Sequence, residues 1–424
     1  MKLHPSTGLH GTISVPGDKS VSHRSVMLGA LADGVTHVSG FLMGEDCLST
    51  IDCFRKMGVP IEVGDDRTVT VHGVGLHGLK QPAERLYTGN SGTTTRLISG
   101  ILSGQSFEVS LTGDASIEKR PMGRIIQPLR QMGADITGVD DKFCPLTIRP
   151  GKLHGIEYTL PVASAQLKSA ILLAGLYADT PTTVIEPAPS RDHTERMLRA
   201  LGCRVDTDGC RITLYPPEKL TAHDVVVPAD ISSAAFFLVA GAIVPNSEIT
   251  IRDVGVNPTR DGVIEVLKNM GADITLSNLR DEGEPICDIT VRSSQLHGAE
   301  IGGAVIPRLI DELPVLAVAA AFAQGETVIR DAAELKVKES NRIAAMVSEL
   351  SRAGADVTEI EDGMIIHGGR PLHGAAFETY HDHRIAMSMA VCALACSGDS
   401  EILDENVVAI SYPDFFDALH RLGG

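Results

Sequence analysis

The basic residues of this chain gather where apolar runs begin. They stand out because the chain is acidic, with 54 Asp and Glu against 37 Lys and Arg. PGDKSVSHR supplies Lys19, Ser20 and Arg24, and Arg96 follows GNSGTTT, which also holds Asn90 and Gly92. Arg120 lies in EKRPMGR, Lys168 behind Ser164-Ala165-Gln166, and Arg191 behind Ser190 in SRDH. KVKESNR carries Lys336, Lys338 and Arg342, and HDHR carries Arg384. A helix N-terminus offers unpaired N–H groups and a partial positive charge, which together attract phosphate or carboxylate. Arginine adds a planar, two-pronged partner for the same anions. One such opening is weak evidence. Several at equivalent places point to a ligand with several anionic groups, held in a cleft lined by helix N-termini.

Carboxylates accompany these cations. Asp311-Glu312 opens a strongly apolar stretch, and Glu339 lies inside KVKESNR. At a helix start a carboxylate is either a cap or, in a ligand site, a base; local sequence leaves both readings open for Asp311. Ser22, Thr94, Ser233 and Ser340 read as N-caps. Arg199, Arg204 and Arg352 read as surface ion pairs of little energetic consequence. His381-Asp382-His383 has no second ligand cluster at useful spacing, so no metal site is expected.

A repeat must position these residues. Six helix-like runs carry Leu or Phe four residues before a glycine, at Gly58, Gly133, Gly202, Gly271, Gly354 and Gly423. Subtracting positions gives spacings of 75, 69, 69, 83 and 69. Glycine suits the left-handed cap past a helix end, and near-constant spacing signals one supersecondary unit used six times. Leu-His-Gly recurs at 9–11, 76–78, 153–155, 296–298 and 372–374, with Lys219-Leu220-Thr221 in the remaining slot. The basic openings then lead into apolar stretches such as VMLGALA, LAVAAAFA and AMSMAVCALA, which predict helices buried on all sides. Short strand-like segments follow: VTHVSG, FEVSLTG, TTVIEP, EITIRD, ETVIRD and EILDE.

The fold expected is α/β, with two similar domains of three βαβαββ-type units around buried parallel helices. The copy of Leu-His-Gly at 9–11 has no capped helix before it, and no strand follows Gly423. Residues 1–17 are therefore expected to complete the sixth unit and join 229–424 in one domain, with 18–228 forming the other.

Composition narrows the function. A net charge of −17 argues against general affinity for nucleic acid or anionic membranes. No apolar run approaches the ~18 residues of a membrane span, and no signal segment is apparent. The eight cysteines show no paired framework, which suits a reduced cytoplasmic protein.

PGDKSVSHR, GNSGTTTR, EKRPM, SAQLKSA, IDELPVLA, KESNR and DHRIAM, in that order over the whole chain, resemble the 5-enolpyruvylshikimate-3-phosphate synthase family. GNSGTTTR, SAQLKSA and SRDHTE look more like its bacterial class II group, often described as glyphosate-tolerant. The resemblance implies the enolpyruvyl transferase fold, with the active site in the cleft between two domains. It implies transfer of the enolpyruvyl group of phosphoenolpyruvate to the 5-hydroxyl of shikimate 3-phosphate, in the shikimate pathway to chorismate and the aromatic amino acids. The route is addition then elimination through a tetrahedral intermediate, with no cofactor or metal. The partners implied are these two small molecules, with no nucleic acid or membrane, and the family suggests a monomer.

By motif matching, Lys19, Ser20, Arg24, Ser164, Ala165, Gln166, Ser190, Arg191, Asp311 and Lys338 are expected around shikimate 3-phosphate. Lys19, Asn90, Gly92, Arg120, Gln166, Arg342 and Arg384 are expected around phosphoenolpyruvate. Asp311 is the candidate base on the hydroxyl, Glu339 the candidate proton donor to carbon, and Lys19 the third catalytic candidate. Some members have a second serine where this chain has Ala165. Some have a lysine before the segment equivalent to Ser411-Tyr412-Pro413, where this chain has Ile410, and Asn-Trp where it has Glu334-Leu335. The related transferase acting on a UDP-sugar typically carries a loop cysteine, but Asp114–Pro121 here reads DASIEKRP. A non-catalytic binder of phosphorylated metabolites would gain nothing from Asp311 and Glu339.

Overall fold

The computed structural model describes residues 1–281 and 283–424. The chain divides into two compact units, Met1–Pro16 with Pro228–Gly424, and Gly17–Val227. Each division falls one residue before the position expected from sequence.

Each unit is built from two kinds of helix. Lys19–Leu31, Gly92–Leu102 and Ala165–Gly175 form the centre of the Gly17–Val227 unit. Ile231–Ile243, Leu313–Phe322 and His383–Ala395 do the same in the other. These helices are apolar all round because they are covered all round, and each fully buried Leu, Ile or Phe contributes about 1.5–3 kcal/mol. Small residues let them approach closely. A Cβ on Gly100 would lie 2.2 Å from the Ala170 carbonyl oxygen, so the helices Gly92–Leu102 and Ala165–Gly175 meet backbone to backbone.

The second kind is one-sided and ends at the repeated glycine. Glu45–Lys56, Gly123–Gln131, His193–Ala200, Gly262–Asn269, Arg342–Arg352 and Phe415–Leu422 all do so. Gly58, Gly133, Gly202, Gly271, Gly354 and Gly423 have φ between 85° and 98°. That region costs an L-residue about 1–2 kcal/mol and glycine very little.

Among the described residues, one strand order recurs in five sheets. In the unit around Gly92–Leu102 it runs Leu86–Tyr87, Val109–Thr112, Phe143–Arg149, Asp135–Val139. The first pair is parallel and the others antiparallel. The strand before each buried helix is only two to four residues long in the five sheets, as with Leu86–Tyr87, Glu157–Thr159 and Glu300–Ile301. The chain start is shared between two sheets. Lys2–Leu3 pairs antiparallel with Ser400–Ile402, and His10–Ile13 pairs parallel with Glu248–Gly255. Residues 2–3 thus fill the place left open after Gly423, while residues 10–13 serve the fourth unit. In the other unit Leu220–Thr221 closes the first sheet against Ala32–Ser39. No helix among the described residues is long and apolar enough to cross a membrane.

Candidate active-site residues

Five of the six buried helices open on a side-chain cap, though not from the residues expected. Asp18 accepts from Val21 N at 2.9 Å, Ser91 from Thr94 N at 3.0 Å, and Ser164 from Leu167 N at 3.4 Å. Asp230 and Asp382 cap Ser232 N and Arg384 N at 2.8 and 2.9 Å. Ser22 instead lies inside its helix and accepts from Leu42 N at 3.0 Å. Thr94 hydrogen-bonds Ser91 Oγ at 2.7 Å, Ser233 is buried within its helix, and Ser340 donates to Asp382 at 3.0 Å. Ser22, Thr94 and Ser233 lie two or three residues past the first helical residue, and Ser340 lies just before the Asn341 cap.

In the Gly17–Val227 unit, Lys19 is the first residue of its helix and pairs with the buried carboxylate of Asp46. Ser20 and Arg24 are four apart and share a helix face. The Arg24 guanidinium meets the Ser20 carbonyl at 3.0 Å, Thr194 at 2.6 Å and Ser169 at 2.8 Å. Behind them His23 is buried, its Nδ1 2.7 Å from Thr50 Oγ1, which lies 2.7 Å from Thr94 Oγ1. Burial, then the charges of Lys19 and Arg24, push His23 well below the usual histidine range, against a weaker pull from Asp18.

Four further expected residues are brought together around Arg96. Arg96 Nη1 donates to Gln166 Oε1 at 2.5 Å, and Gln166 Nε2 donates to Thr93 at 3.0 Å. Arg120 Nη2 donates to Asn90 Oδ1 at 2.7 Å, and Asn90 Nδ2 to Asp114 at 2.9 Å. Gly92 lies between the arginines: a Cβ there would sit 2.9 Å from Arg96 Nη1 and 3.3 Å from Arg120 Nη1. Ala165 opens the helix that carries Gln166. Arg191 is half-buried after Ser190, whose hydroxyl donates to Glu186. Lys168 is a correction. It is only 1% exposed and bridges Glu186 at 2.8 Å and Glu195 at 2.7 Å, so it is an interior charge rather than part of an exposed cationic lining.

In the other unit, Arg342 opens the helix Arg342–Arg352, which Asn341 caps at Ala344 N. Its guanidinium, 1% exposed, sits among three carboxylates. Nε is 2.8 Å from Asp382 Oδ2, Nη2 2.6 Å from Glu339 Oε2, and Nη1 3.2 Å from Asp311 Oδ1. Burial opposes the charge on Arg342, but Asp382, then Glu339 and Asp311, outweigh it and raise its pKa. Burial likewise opposes ionisation of Asp382, and Arg342 overcomes it to hold that carboxyl below the usual range. Lys338 Nζ stands 3.3 Å from Asp311 Oδ1, and Arg384 Nη1 donates to the Asp311 carbonyl at 3.1 Å. The Asp311 carboxylate is therefore held by two cations. Asp382, weighed from sequence as a metal ligand, is a helix cap and the main partner of Arg342. No group of three or more His, Cys, Asp or Glu that could hold a metal ion occurs among the described residues.

Sequence reasoning missed Asp46, Glu186 and the role of Asp382. The latter had a signal, since an aspartate before His-Arg at an apolar helix start is an N-cap pattern. Asp46 and Glu186 had none, because only the fold brings them to Lys19 and Ser190.

Each unit thus carries cations set beside carboxylates at its helix openings. A model of the EPSP synthase (3-phosphoshikimate 1-carboxyvinyltransferase) family matches residues 3–419. A 3-phosphoshikimate 1-carboxyvinyltransferase of a Thermoanaerobacter species is 56% identical over 415 residues, covering 98% of each chain. One from Geobacillus kaustophilus is 57% identical over 420 residues, again covering 98% of each. Among solved structures, EPSP synthase from Acinetobacter baumannii aligns with a TM-score of 0.90 at 51% identity, over 100% of this chain and 98% of that one. The enolpyruvyl transferase NikO from Streptomyces tendae shares the fold, with a TM-score of 0.82 at 18% identity over 100% of this chain and 97% of that one. The chain belongs to the EPSP synthase family.

Proposed function

We infer that the chain transfers the enolpyruvyl group of phosphoenolpyruvate to the 5-hydroxyl of shikimate 3-phosphate and releases phosphate. The observation that carries this is full-length identity above half to proteins named for that activity. Lys19, Asn90, Gly92, Arg120, Gln166, Arg342 and Arg384 bind phosphoenolpyruvate. Lys19, Ser20, Arg24, Ser164, Ala165, Gln166, Ser190, Arg191, Asp311 and Lys338 bind shikimate 3-phosphate.

The chemistry needs a proton delivered to the methylene carbon of phosphoenolpyruvate and one taken from the attacking hydroxyl. Elimination of phosphate then reverses proton flow at the carbon. Asp311 takes the hydroxyl proton and Glu339 exchanges the carbon proton. Support comes from their placement: both touch Arg342, at 3.2 and 2.6 Å, so one guanidinium fixes acid and base together. Such positioned proton transfer typically contributes 10²–10⁴-fold. Lys338, 3.3 Å from Asp311, offers a cation beside the developing alkoxide. Each nitrogen of Arg342 already meets a carboxylate, so phosphoenolpyruvate shares that guanidinium with Asp382, Glu339 and Asp311.

The motif forms GNSGTTTR, SAQLKSA and SRDHTE support placement in class II. The proposal extends to a cytoplasmic monomer that works without metal or organic cofactor. Phosphate release tests the reading: phosphoenolpyruvate is supplied with shikimate 3-phosphate, with a UDP-sugar, or alone. Release with shikimate 3-phosphate only is expected; release with the UDP-sugar only, or with neither, overturns it.

A further inference from the structure

The interior of the Gly17–Val227 unit holds an ammonium between two carboxylates. Lys168 Nζ lies 2.8 Å from Glu186 Oε2 and 2.7 Å from Glu195 Oε1, and all three side chains are at most 2% exposed. The group carries one more negative than positive charge. Interior charge is costly unless it is paired and hydrogen-bonded, and replacing such a pair with apolar residues is often neutral or stabilising. Stability alone therefore gives little reason for the arrangement.

Its attachments suggest another reason. Glu186 directly follows the strand Thr182–Ile185, and the helix His193–Ala200 begins seven residues later. The segment between carries Ser190 and Arg191. Glu186 accepts the Ser190 hydroxyl, and its Oε2 accepts Ser190 N–H at 3.4 Å. Lys168 Nζ donates to the Ser190 carbonyl at 3.3 Å. Hydroxyl, amide and carbonyl of one residue are thus all held by the same ion pair. Pro187 and Pro189 restrict the backbone just before Ser190.

We propose that Glu186, braced by Lys168, is a positioning residue that holds Ser190 and Arg191 in register for the phosphorylated sugar-like substrate. This rests on the functional reading above, in which those two residues face that substrate. Three donors converge on the Glu186 carboxylate: Ser190 O–H, Ser190 N–H and Lys168 N–H. A carboxylate can accept all three, whereas an amide in its place has one acceptor oxygen and a second group that only donates. At least one donor then loses its partner and the segment loses its register.

The two glutamates provide a matched test. Glu186→Gln and Glu195→Gln each remove one negative charge and balance the group, so both variants are expected to fold. Only Glu186 touches Ser190. Glu186→Gln should raise KM for shikimate 3-phosphate by about tenfold or more, a loss of about 1.4 kcal/mol or more. Its KM for phosphoenolpyruvate and its kcat should change less than about twofold. Glu195→Gln should shift all three parameters less than about threefold. Glu186→Asp, which keeps the charge and both oxygens, should recover part of the lost affinity. Equal effects of the two glutamine variants, an unchanged or lowered KM for shikimate 3-phosphate in Glu186→Gln, or a common fall in kcat overturns the inference. An unaltered protein that fails to convert the two substrates overturns the functional reading instead.

Discussion

Arg342 donates to Asp382 from two nitrogens, Nε at 2.8 Å and Nη2 at 3.3 Å, with both side chains out of solvent. Asp382 also caps its helix and accepts from Ser340. Asp382→Ala would deprive a buried guanidinium of the carboxylate that meets two of its nitrogens, and losing one side of a buried pair typically costs about 3–5 kcal/mol. Chemical denaturation should show a loss on that scale, with a smaller loss for Asp382→Asn, which keeps an oxygen for the cap. Loss below about 1 kcal/mol in the alanine variant would mean that Glu339 and Asp311 suffice for Arg342.

Asp311 and Glu339 divide the proton work in the proposed mechanism. Asp311→Ala should weaken shikimate 3-phosphate binding only modestly while turnover falls about 10²-fold or more, the scale of a lost general base. Glu339→Ala should behave similarly and also suppress hydrogen exchange at the methylene carbon of phosphoenolpyruvate. Near-normal turnover in either variant would remove that residue from the mechanism. Loss of binding alone would make them props for Arg342 and Lys338.

Gly92 lies where an added methyl meets two guanidinium groups, 2.9 Å from Arg96 Nη1 and 3.3 Å from Arg120 Nη1. One of the two must shift. Gly92→Ala should weaken phosphoenolpyruvate modestly and glyphosate, a longer molecule that the family resemblance places at the same site, by at least about tenfold, or about 1.4 kcal/mol. Steady-state inhibition constants for the two proteins test this, and equal values would refute it.

His23 makes stability depend on pH. Its folded pKa lies well below the ordinary value of 6.5, through burial first and then Lys19 and Arg24. As pH falls below 6.5 the unfolded chain takes up a proton that the folded chain refuses. Stability is therefore full above that value and declines at up to about 1.4 kcal/mol per pH unit until the folded pKa is reached. His23→Gln should flatten the slope of stability against pH between 6.5 and 5. An identical slope would place the titration elsewhere.

Much of the fold was legible because its signals are local. A glycine past a helix end is forced by backbone sterics, and all six such glycines take positive φ. Buried helices declared themselves by apolar residues on every side. The two- to four-residue strands before those helices were not legible, because two residues such as Leu86–Tyr87 carry no periodicity. Cap assignment failed at Thr94 because hydroxyl residues crowd that opening and only geometry selects Ser91, and at Ser22 because the cap, Asp18, stands four residues earlier. Lys168 was misread for a related reason. Its partners lie 18 and 27 positions further on, and nothing near Lys168 announces them.

The sharing of the chain start between two sheets has a consequence for synthesis. Gly17–Val227 is one continuous stretch and can gain its contacts as soon as it leaves the ribosome. Lys2–Leu3 and His10–Ile13 emerge first, yet their partners, Ser400–Ile402 and Glu248–Gly255, emerge late. The first residues to be made must wait, unpaired, for some of the last. Until they dock, the strand Glu248–Gly255 keeps an open edge able to accept a foreign strand. Deleting residues 1–16 should make that exposure permanent, and the expected result is aggregation of the nascent or refolding chain rather than a lower melting temperature alone.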